Sequence, residues 1–115
     1  MTARGLYATV KSMKKLRRSD AYKKWFKSLR DTITKARILA RIKRLAEGNP
    51  GDHRFLGDIS ELRFDFGPGY RIYYKDTGTE IIILLLGGDK SSQQGDIARA
   101  REIAGDYAAE EGKQL

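Results

Sequence analysis

The chain has 115 residues with 23 Lys and Arg, 15 Asp and Glu, one His and no Cys, and its formal net charge at pH 7 is +8. That length fits a single domain, residues 1–115, which can bury a core without disulfides or metal. The lack of Cys excludes a disulfide scaffold, a thiolate metal site and a cysteine nucleophile. The longest apolar run, residues 81–86, is far shorter than the about 20 residues that span a bilayer, so we expect a cytoplasmic protein without a membrane partner.

The positive charge is concentrated in the first half of the chain. Residues 1–50 carry 15 basic and 3 acidic side chains, net +12, whereas residues 51–115 carry 8 basic and 12 acidic ones, net −4. Such a polarised field attracts polyanions, so nucleic acid and an acidic protein are both natural ligands. A basic surface that serves only solubility is the alternative.

The N-terminal half predicts one strand and two helices. Residues 7–16 are compatible with a strand, and Ser19 then supplies a helix start before the apolar spacing of residues 20–29. A second helix follows Asp31 and ends near Ala46, where a glycine and a proline come next. On that helix Arg37, Arg41 and Arg44 share one face. This stripe is either a solvated surface or a contact for phosphates or an acidic partner.

The C-terminal half changes to the period of two that is typical of strands. Leu62, Phe64 and Phe66 alternate toward the core, which directs Arg63 and Asp65 the other way. A Gly-Pro-Gly turn at 67–69 leads into strands over residues 70–75 and 81–86, and a final helix covers residues 93–109 before a frayed tail at 110–115. We therefore predict an α+β domain with helices on one face of a small antiparallel sheet.

Several separated segments resemble one known family, the HigB-like addiction-module killer proteins of the RelE/ParE toxin superfamily. The most specific segments are SELRFDFGPGYRIYY at 60–74 and LLLGGDKSSQ at 84–93, and residues 22–29, 36–42, 45–52 and 96–100 extend the likeness. The resemblance covers about residues 13–104 and implies a RelE-like microbial RNase-type fold with two N-terminal helices and a C-terminal helix. Residues 1–12 are an extension to which it gives no role.

The resemblance also implies a function. Members are toxins of type II toxin-antitoxin systems, mostly ribosome-dependent mRNA endonucleases, and a ParE-like branch poisons DNA gyrase. The implied partners are a cognate antitoxin, commonly a helix-turn-helix protein of the HigA type, together with the ribosome and its mRNA. Operator DNA would be contacted only through the antitoxin. A non-enzymatic gyrase poison, or an inactive basic interaction module that binds antitoxin and operator, are the rival functions.

RNA cleavage without a metal or cofactor needs a base for the 2′-hydroxyl, cations for the phosphorane and an acid for the leaving 5′-oxygen. Arg63 and Arg71 lie on strands joined by the turn at 67–69 and both can project from one sheet face. The resemblance places both of them and Lys90 in the active site. The bland interpretation of such arginines is a surface ion pair with Asp65 or Glu61.

Four further side chains are weaker candidates. Tyr73 alternates with Arg71 and would share its face, while His53 is the residue type that ordinarily changes charge near neutral pH. Gln93 could meet the substrate from a helix start. Trp25 belongs either to the core or to a groove that engages antitoxin or ribosomal RNA.

Overall fold

The computed structural model describes residues 13–114, with side chains through Glu110. Within them the chain forms five strands and three helices. In chain order these are β1 (Lys15–Arg18), α1 (Asp20–Ser28), α2 (Thr32–Ala46), β2 (His53–Phe55), β3 (Ser60–Arg63), β4 (Tyr70–Asp76), β5 (Ile81–Asp89) and α3 (Gln93–Gln114), and a 3₁₀ turn, Lys90–Ser92, joins β5 to α3. The α+β class is confirmed. No helix in the described part of the chain is long and apolar enough to cross a membrane.

The two N-terminal helices begin and end where their capping residues predict. The Ser19 hydroxyl accepts a hydrogen bond from the Tyr22 amide at 2.9 Å, and the Asp31 carboxylate accepts one from the Ile33 amide at 3.2 Å. These bonds satisfy backbone donors that a helix start leaves unpaired. After α2, Gly48 adopts φ +91°, a conformation that favours glycine and ends the helix.

The sheet is mixed, which corrects the prediction of an antiparallel one. Its strand order is β1-β5-β4-β3-β2, and β1 pairs with β5 in the parallel direction. The predicted first strand, residues 7–16, lies mostly outside the described residues, and the observed β1 starts only at Lys15. β2 lies in the segment between α2 and β3 for which no strand was predicted, because three residues are too few for a visible alternation and their pairing depends on β3.

Helices cover both faces of the sheet, so the prediction of helices on one face is wrong. The face with Leu62, Ile72 and Leu84 packs against α1 and α2. The opposite face, with Ile59, Leu85 and Leu86, packs against Ala100 and its neighbours on α3. β5 is therefore buried on both sides, as its unbroken apolar run predicts.

A bulge in the β4–β5 pairing places two successive leucines of β5 in the core under α3. Tyr73 pairs with Leu86 and Tyr74 with Leu84, so Leu85 is an extra residue on β5. Because a bulge shifts the alternation by one residue, Leu85 and Leu86 both belong to the core under α3. α3 continues to Gln114, past its predicted end near residue 109.

Two glycines test how tightly the helices sit on the sheet. A Cβ at Gly87 would overlap the Trp25 ring, whereas one at Gly105, in the exposed part of α3, would meet nothing. We expect Gly87→Ala to lower the free energy of unfolding by about 2 kcal/mol or more through overpacking. Gly105→Ala should raise it by about 0.5–1 kcal/mol because alanine favours the helix. Urea denaturation followed by circular dichroism measures both, and a neutral Gly87→Ala would contradict the packing of Trp25.

Candidate functional site

One end of the sheet carries an open cleft. β3 ends there at Arg63, β4 begins at Tyr70 and β5 ends at Asp89, because neighbouring antiparallel strands bring these termini together. The cleft, about 460 Å³ in volume, is called the sheet-end cleft below. It is lined by Asp52, Arg63, Phe64, Asp65, Gly67, Pro68, Gly69, Arg71 and Lys90.

Two arginines face each other across this end of the sheet. Arg63 on β3 and Arg71 on β4 are direct cross-strand partners. Like charges at directly opposite positions destabilise a sheet, so local groups must offset their repulsion. The pair concentrates positive charge where the cleft is open to an anion.

The Arg63 guanidinium is held by Asp52. Its Nε and Nη2 donate to Asp52 Oδ1 at 3.2 and 3.1 Å, and the Arg63 amide donates to the Asp52 carbonyl at 2.9 Å. The alternative interpretation of such an arginine, a surface ion pair, therefore describes Arg63, but its partner is Asp52 and not Asp65 or Glu61. Both side chains remain accessible, at 39% for Arg63 and 56% for Asp52. An exposed pair of this kind contributes little free energy and can open for a stronger anion.

The Arg71 guanidinium supports the turn that forms one wall of the cleft. Its Nη1 donates to the carbonyl oxygens of Phe64, Gly69 and Tyr70 at 3.3, 3.0 and 3.0 Å. Its Nε is buried and has no hydrogen-bond partner among the residues that the structure describes. Arg71 therefore fixes the Gly-Pro-Gly turn and also presents positive charge to the cleft.

Lys90 completes the cationic side of the cleft. A Cβ on Gly69, at φ +76°, would lie 3.3 Å from Lys90 Cβ and 3.5 Å from Arg71 Nη1, so both side chains flank this glycine. Within the described residues the Lys90 ammonium group makes no hydrogen bond or ion pair, and the residue is exposed. Asp89 caps the 3₁₀ turn by accepting from the Ser91 amide at 2.8 Å. The bonds from Ser91 hold the pKa of Asp89 below its usual range.

Arg41 ties α2 to this end of the sheet. Its guanidinium donates to the carbonyl oxygens of Arg63, Pro50 and Asp52 at 3.0, 3.0 and 2.9 Å, and it lies 4.6 Å from the centre of the Phe64 ring. Burial lowers the pKa of Arg41 from its ordinary value, while Asp52 opposes the shift. Arg41, the middle arginine of the predicted stripe, therefore stabilises the fold through its bonds to backbone carbonyl groups.

The outer arginines of the stripe line a second cleft of about 270 Å³, called the arginine groove below. The Arg37 guanidinium lies 3.7 Å from the centre of the Phe66 ring, in cation–π contact. The groove shares Phe64 and Asp65 with the sheet-end cleft, so the two form one surface. It is lined by Arg37, Ala40, Arg41, Arg44, Phe64, Asp65 and Phe66.

Two candidate catalytic residues lie elsewhere. Tyr73 is fully buried beneath α3, because that helix covers the Tyr73 end of the face to which Arg71 also belongs. Burial, with Glu61 nearby, raises the pKa of Tyr73. His53 pairs with Leu62, not Arg63, and lines a separate depression with Lys14, so it does not share the sheet-end cleft. Neither placement fits the predicted role in the cleft.

Gln93 and Trp25 both make structural contacts. Gln93 Nε2 donates to the fully buried Glu61 carboxylate at 2.7 Å, which anchors the start of α3 to β3. Trp25 is half-buried over Gly87 and contacts the Tyr70 ring at 6.2 Å between centroids. The lining of the two clefts includes neither side chain.

Sequence reasoning missed the carboxylates of the site. Asp52 precedes a three-residue strand, and Asp65 was interpreted only as an ion-pair partner, yet both line the sheet-end cleft. The signal for Asp65 was available, because it follows Arg63 by two residues in the alternating segment. Among residues 13–114, no group of three or more His, Asp or Glu side chains is placed to hold a metal ion.

The chain is similar to an uncharacterized protein of Haemophilus influenzae. The two are 49% identical over 81 residues, which cover 70% of this chain and 82% of that protein. The chain belongs to the same family as the Haemophilus influenzae protein. No family profile matches the chain, and no solved structure matches it.

Arg41 and Arg44 provide a matched test of the link between α2 and the sheet. Arg41→Lys should lower the free energy of unfolding by about 1–3 kcal/mol, because a single ammonium cannot satisfy three carbonyl groups arranged for a guanidinium. Arg44→Lys, on the exposed side of the same helix, should change it by less than about 0.5 kcal/mol. Urea denaturation of the two variants makes the comparison. Equal stabilities would contradict the structural role of Arg41.

Proposed function

We propose that the protein is the toxin of a type II toxin-antitoxin system, with a RelE-like fold, and that it is an endoribonuclease that cleaves mRNA on the ribosome. The observation that carries the proposal is the opposed pair Arg63 and Arg71, with the exposed Lys90 beside it, at an open cleft. An exposed carboxylate, Asp52, offsets only part of this charge, so the cluster suits a phosphodiester. The order of the helices and strands, and the sequence segments named above, agree with this family.

The cleft offers groups for each part of the reaction without a cofactor. The attacking 2′-oxygen forms a bond to phosphorus, the bond to the leaving 5′-oxygen breaks, and the product is a 2′,3′-cyclic phosphate with a free 5′-hydroxyl. Arg63 and Arg71 stabilise the charge on the phosphorane oxygens. Lys90, with its exposed ammonium group, donates the proton to the 5′-oxygen.

The base follows from which carboxylate is available. Tyr73 is buried and His53 lies outside the cleft, so the carboxylates of Asp52 and Asp65 are the remaining candidates for the general base. Asp52 is engaged by Arg63, whereas the exposed Asp65 has no ion pair or hydrogen bond through its carboxylate within the described residues. We assign to Asp65 the removal of the 2′-hydroxyl proton.

The partners follow from the same chemistry. The basic surface formed by α2 suits ribosomal RNA and mRNA, and it also suits an acidic segment of a cognate helix-turn-helix antitoxin. An antitoxin that covers the sheet-end cleft would neutralise the toxin by exclusion. Operator DNA would then be bound by the antitoxin and not by this chain.

Expression in bacteria tests the function. The unmodified chain should arrest growth and produce transcripts cut within translated regions, and Lys90→Ala should abolish both because the leaving oxygen loses its proton donor. Lys24→Ala, which removes an equal charge from the exposed side of α1, is the matched control and should remain toxic. Growth curves and mapping of transcript ends provide the measurement.

The same expression experiment separates the rival functions. Growth arrest with intact transcripts, DNA-damage signalling and loss of supercoiling would contradict the proposal and indicate a gyrase poison. Harmless overexpression of the unmodified chain would contradict it in favour of an inactive interaction module. Toxicity that survives Lys90→Ala would remove Lys90 from the mechanism.

The two carboxylates of the cleft can be distinguished by rate. Asp65→Asn should slow cleavage on programmed ribosomes by about a hundredfold or more, the usual contribution of a general base. Asp52→Asn removes the other carboxylate of the same cleft and should change the rate by less than about fivefold, since it breaks only an exposed ion pair. Single-turnover cleavage of a defined mRNA measures both. The reverse order of effects would assign the base to Asp52.

A further inference from the structure

The arginine groove has no part in the bond-making steps proposed above, yet it continues directly from the sheet-end cleft. The two clefts share Phe64 and Asp65 as a common wall. A flexible polymer bound in one can therefore extend into the other. A single-stranded polynucleotide is such a polymer, with one negative charge per repeat.

The cations of the groove are available to a ligand. Arg37 and Arg44 are exposed, and within the described residues neither takes part in an ion pair. Arg41 lies between them but is bound to three carbonyl oxygens. Two arginines separated by two turns of one helix face thus present their guanidinium groups on the same side of the shared wall.

Phe66 restricts how Arg37 can point. The guanidinium carbon lies over the ring at 3.7 Å from its centre, in cation–π contact, and this contact limits the orientations of the guanidinium group. A guanidinium whose orientation is fixed loses less conformational entropy when it forms a paired hydrogen bond to phosphate. The groove is thereby pre-organised for one phosphate group.

We propose that the arginine groove is the subsite for the nucleotide on the 5′ side of the cleaved bond, with Arg37 and Arg44 bound to that nucleotide's own 5′-phosphate. This inference rests on the proposed function, because Asp65 and Lys90 set the strand direction. The attacking 2′-hydroxyl belongs to the 5′ nucleotide and gives its proton to Asp65, which borders the groove. The leaving oxygen belongs to the 3′ nucleotide and is protonated by Lys90, which lies outside the groove. The RNA therefore runs 5′ to 3′ from Arg37 toward Lys90.

Binding of three uncleavable probes tests both the subsite and its direction. All three are dinucleotides with a 2′-O-methyl group on the 5′ ribose, so that the 2′-oxygen cannot attack the phosphate. The first has no terminal phosphate, the second has an added 5′-phosphate, and the third has an added 3′-phosphate. We expect the 5′-phosphate to tighten binding by about tenfold, the factor of a charge-assisted contact. Titration calorimetry at fixed low salt supplies the dissociation constants.

Paired variants assign that gain to the groove. Arg37→Gln/Arg44→Gln should abolish the gain from the 5′-phosphate and leave the affinity for the plain dinucleotide within about twofold. Lys24→Gln/Lys43→Gln removes the same charge from exposed positions that line neither cleft, and it should keep the full gain. For a longer uncleavable strand, the first pair of substitutions should reduce the slope of log affinity against log salt by about 0.7 per lost phosphate contact.

The outcomes separate this subsite from the function on which it rests. If the unmodified protein cuts mRNA but the 5′-phosphate gives no gain, or the gain survives in Arg37→Gln/Arg44→Gln, the subsite is overturned and the function stands. A gain that depends on these arginines for the 3′-phosphate overturns the direction. A gain from the 5′-phosphate without any mRNA cleavage overturns the function, and with it the assignment to the 5′ side of a cleaved bond, and leaves the groove only as a phosphate-binding surface. No binding of any probe at about 1 mM, with antitoxin binding lost in Arg37→Gln/Arg44→Gln, identifies the groove as a protein surface and overturns the subsite.

Discussion

The burial of β5 on both faces determines the rest of the architecture. Residues 82–86 are all buried, and no polar side chain interrupts them. Each apolar face needs a cover, so α1 and α2 pack on one side and α3 on the other. Because α3 follows β5 after only three residues, the 3₁₀ turn that carries Lys90 is held at the end of the sheet. The position of Lys90 is thus a consequence of core packing.

Positive charge at that end is tolerated because each arginine is held in a different way. Arg63 pairs with an exposed carboxylate, while Arg71 and Arg41 each donate to three backbone carbonyl groups. Carbonyl partners fix a guanidinium without neutralising it, whereas the Asp52 carboxylate neutralises Arg63 until an anion competes. The cleft therefore combines a rigid frame with a single exchangeable contact. This arrangement permits an anion to enter without rearrangement of the sheet.

Local signals in the sequence were sufficient for the helices and the main strands but not for their assembly. Ser19 and Asp31 cap the helices they predict, and the apolar run of β5 marks a central strand. The parallel pairing of β1 and the existence of β2 depend on partners far along the chain, which no short pattern encodes. Alternation placed Tyr73 on the face of Arg71 correctly, but accessibility depended on α3, which covers only the Tyr73 end of that face. The partner of Arg63, Asp52, lies eleven residues earlier and is brought to it by the folding of the chain, so a local pattern around Arg63 could not predict it.

The composition of the two clefts also bears on how a target would be selected. Their linings consist of arginine, lysine, aspartate, phenylalanine and small residues, and include no asparagine or glutamine within the described part of the chain. Contacts to phosphate and sugar position a nucleic acid but carry little information about its bases. Free in solution, such a site would hold any single strand weakly and with a steep dependence on salt. On the proposed function, a ribosome that presents one stretch of mRNA at a time would add selectivity to these contacts.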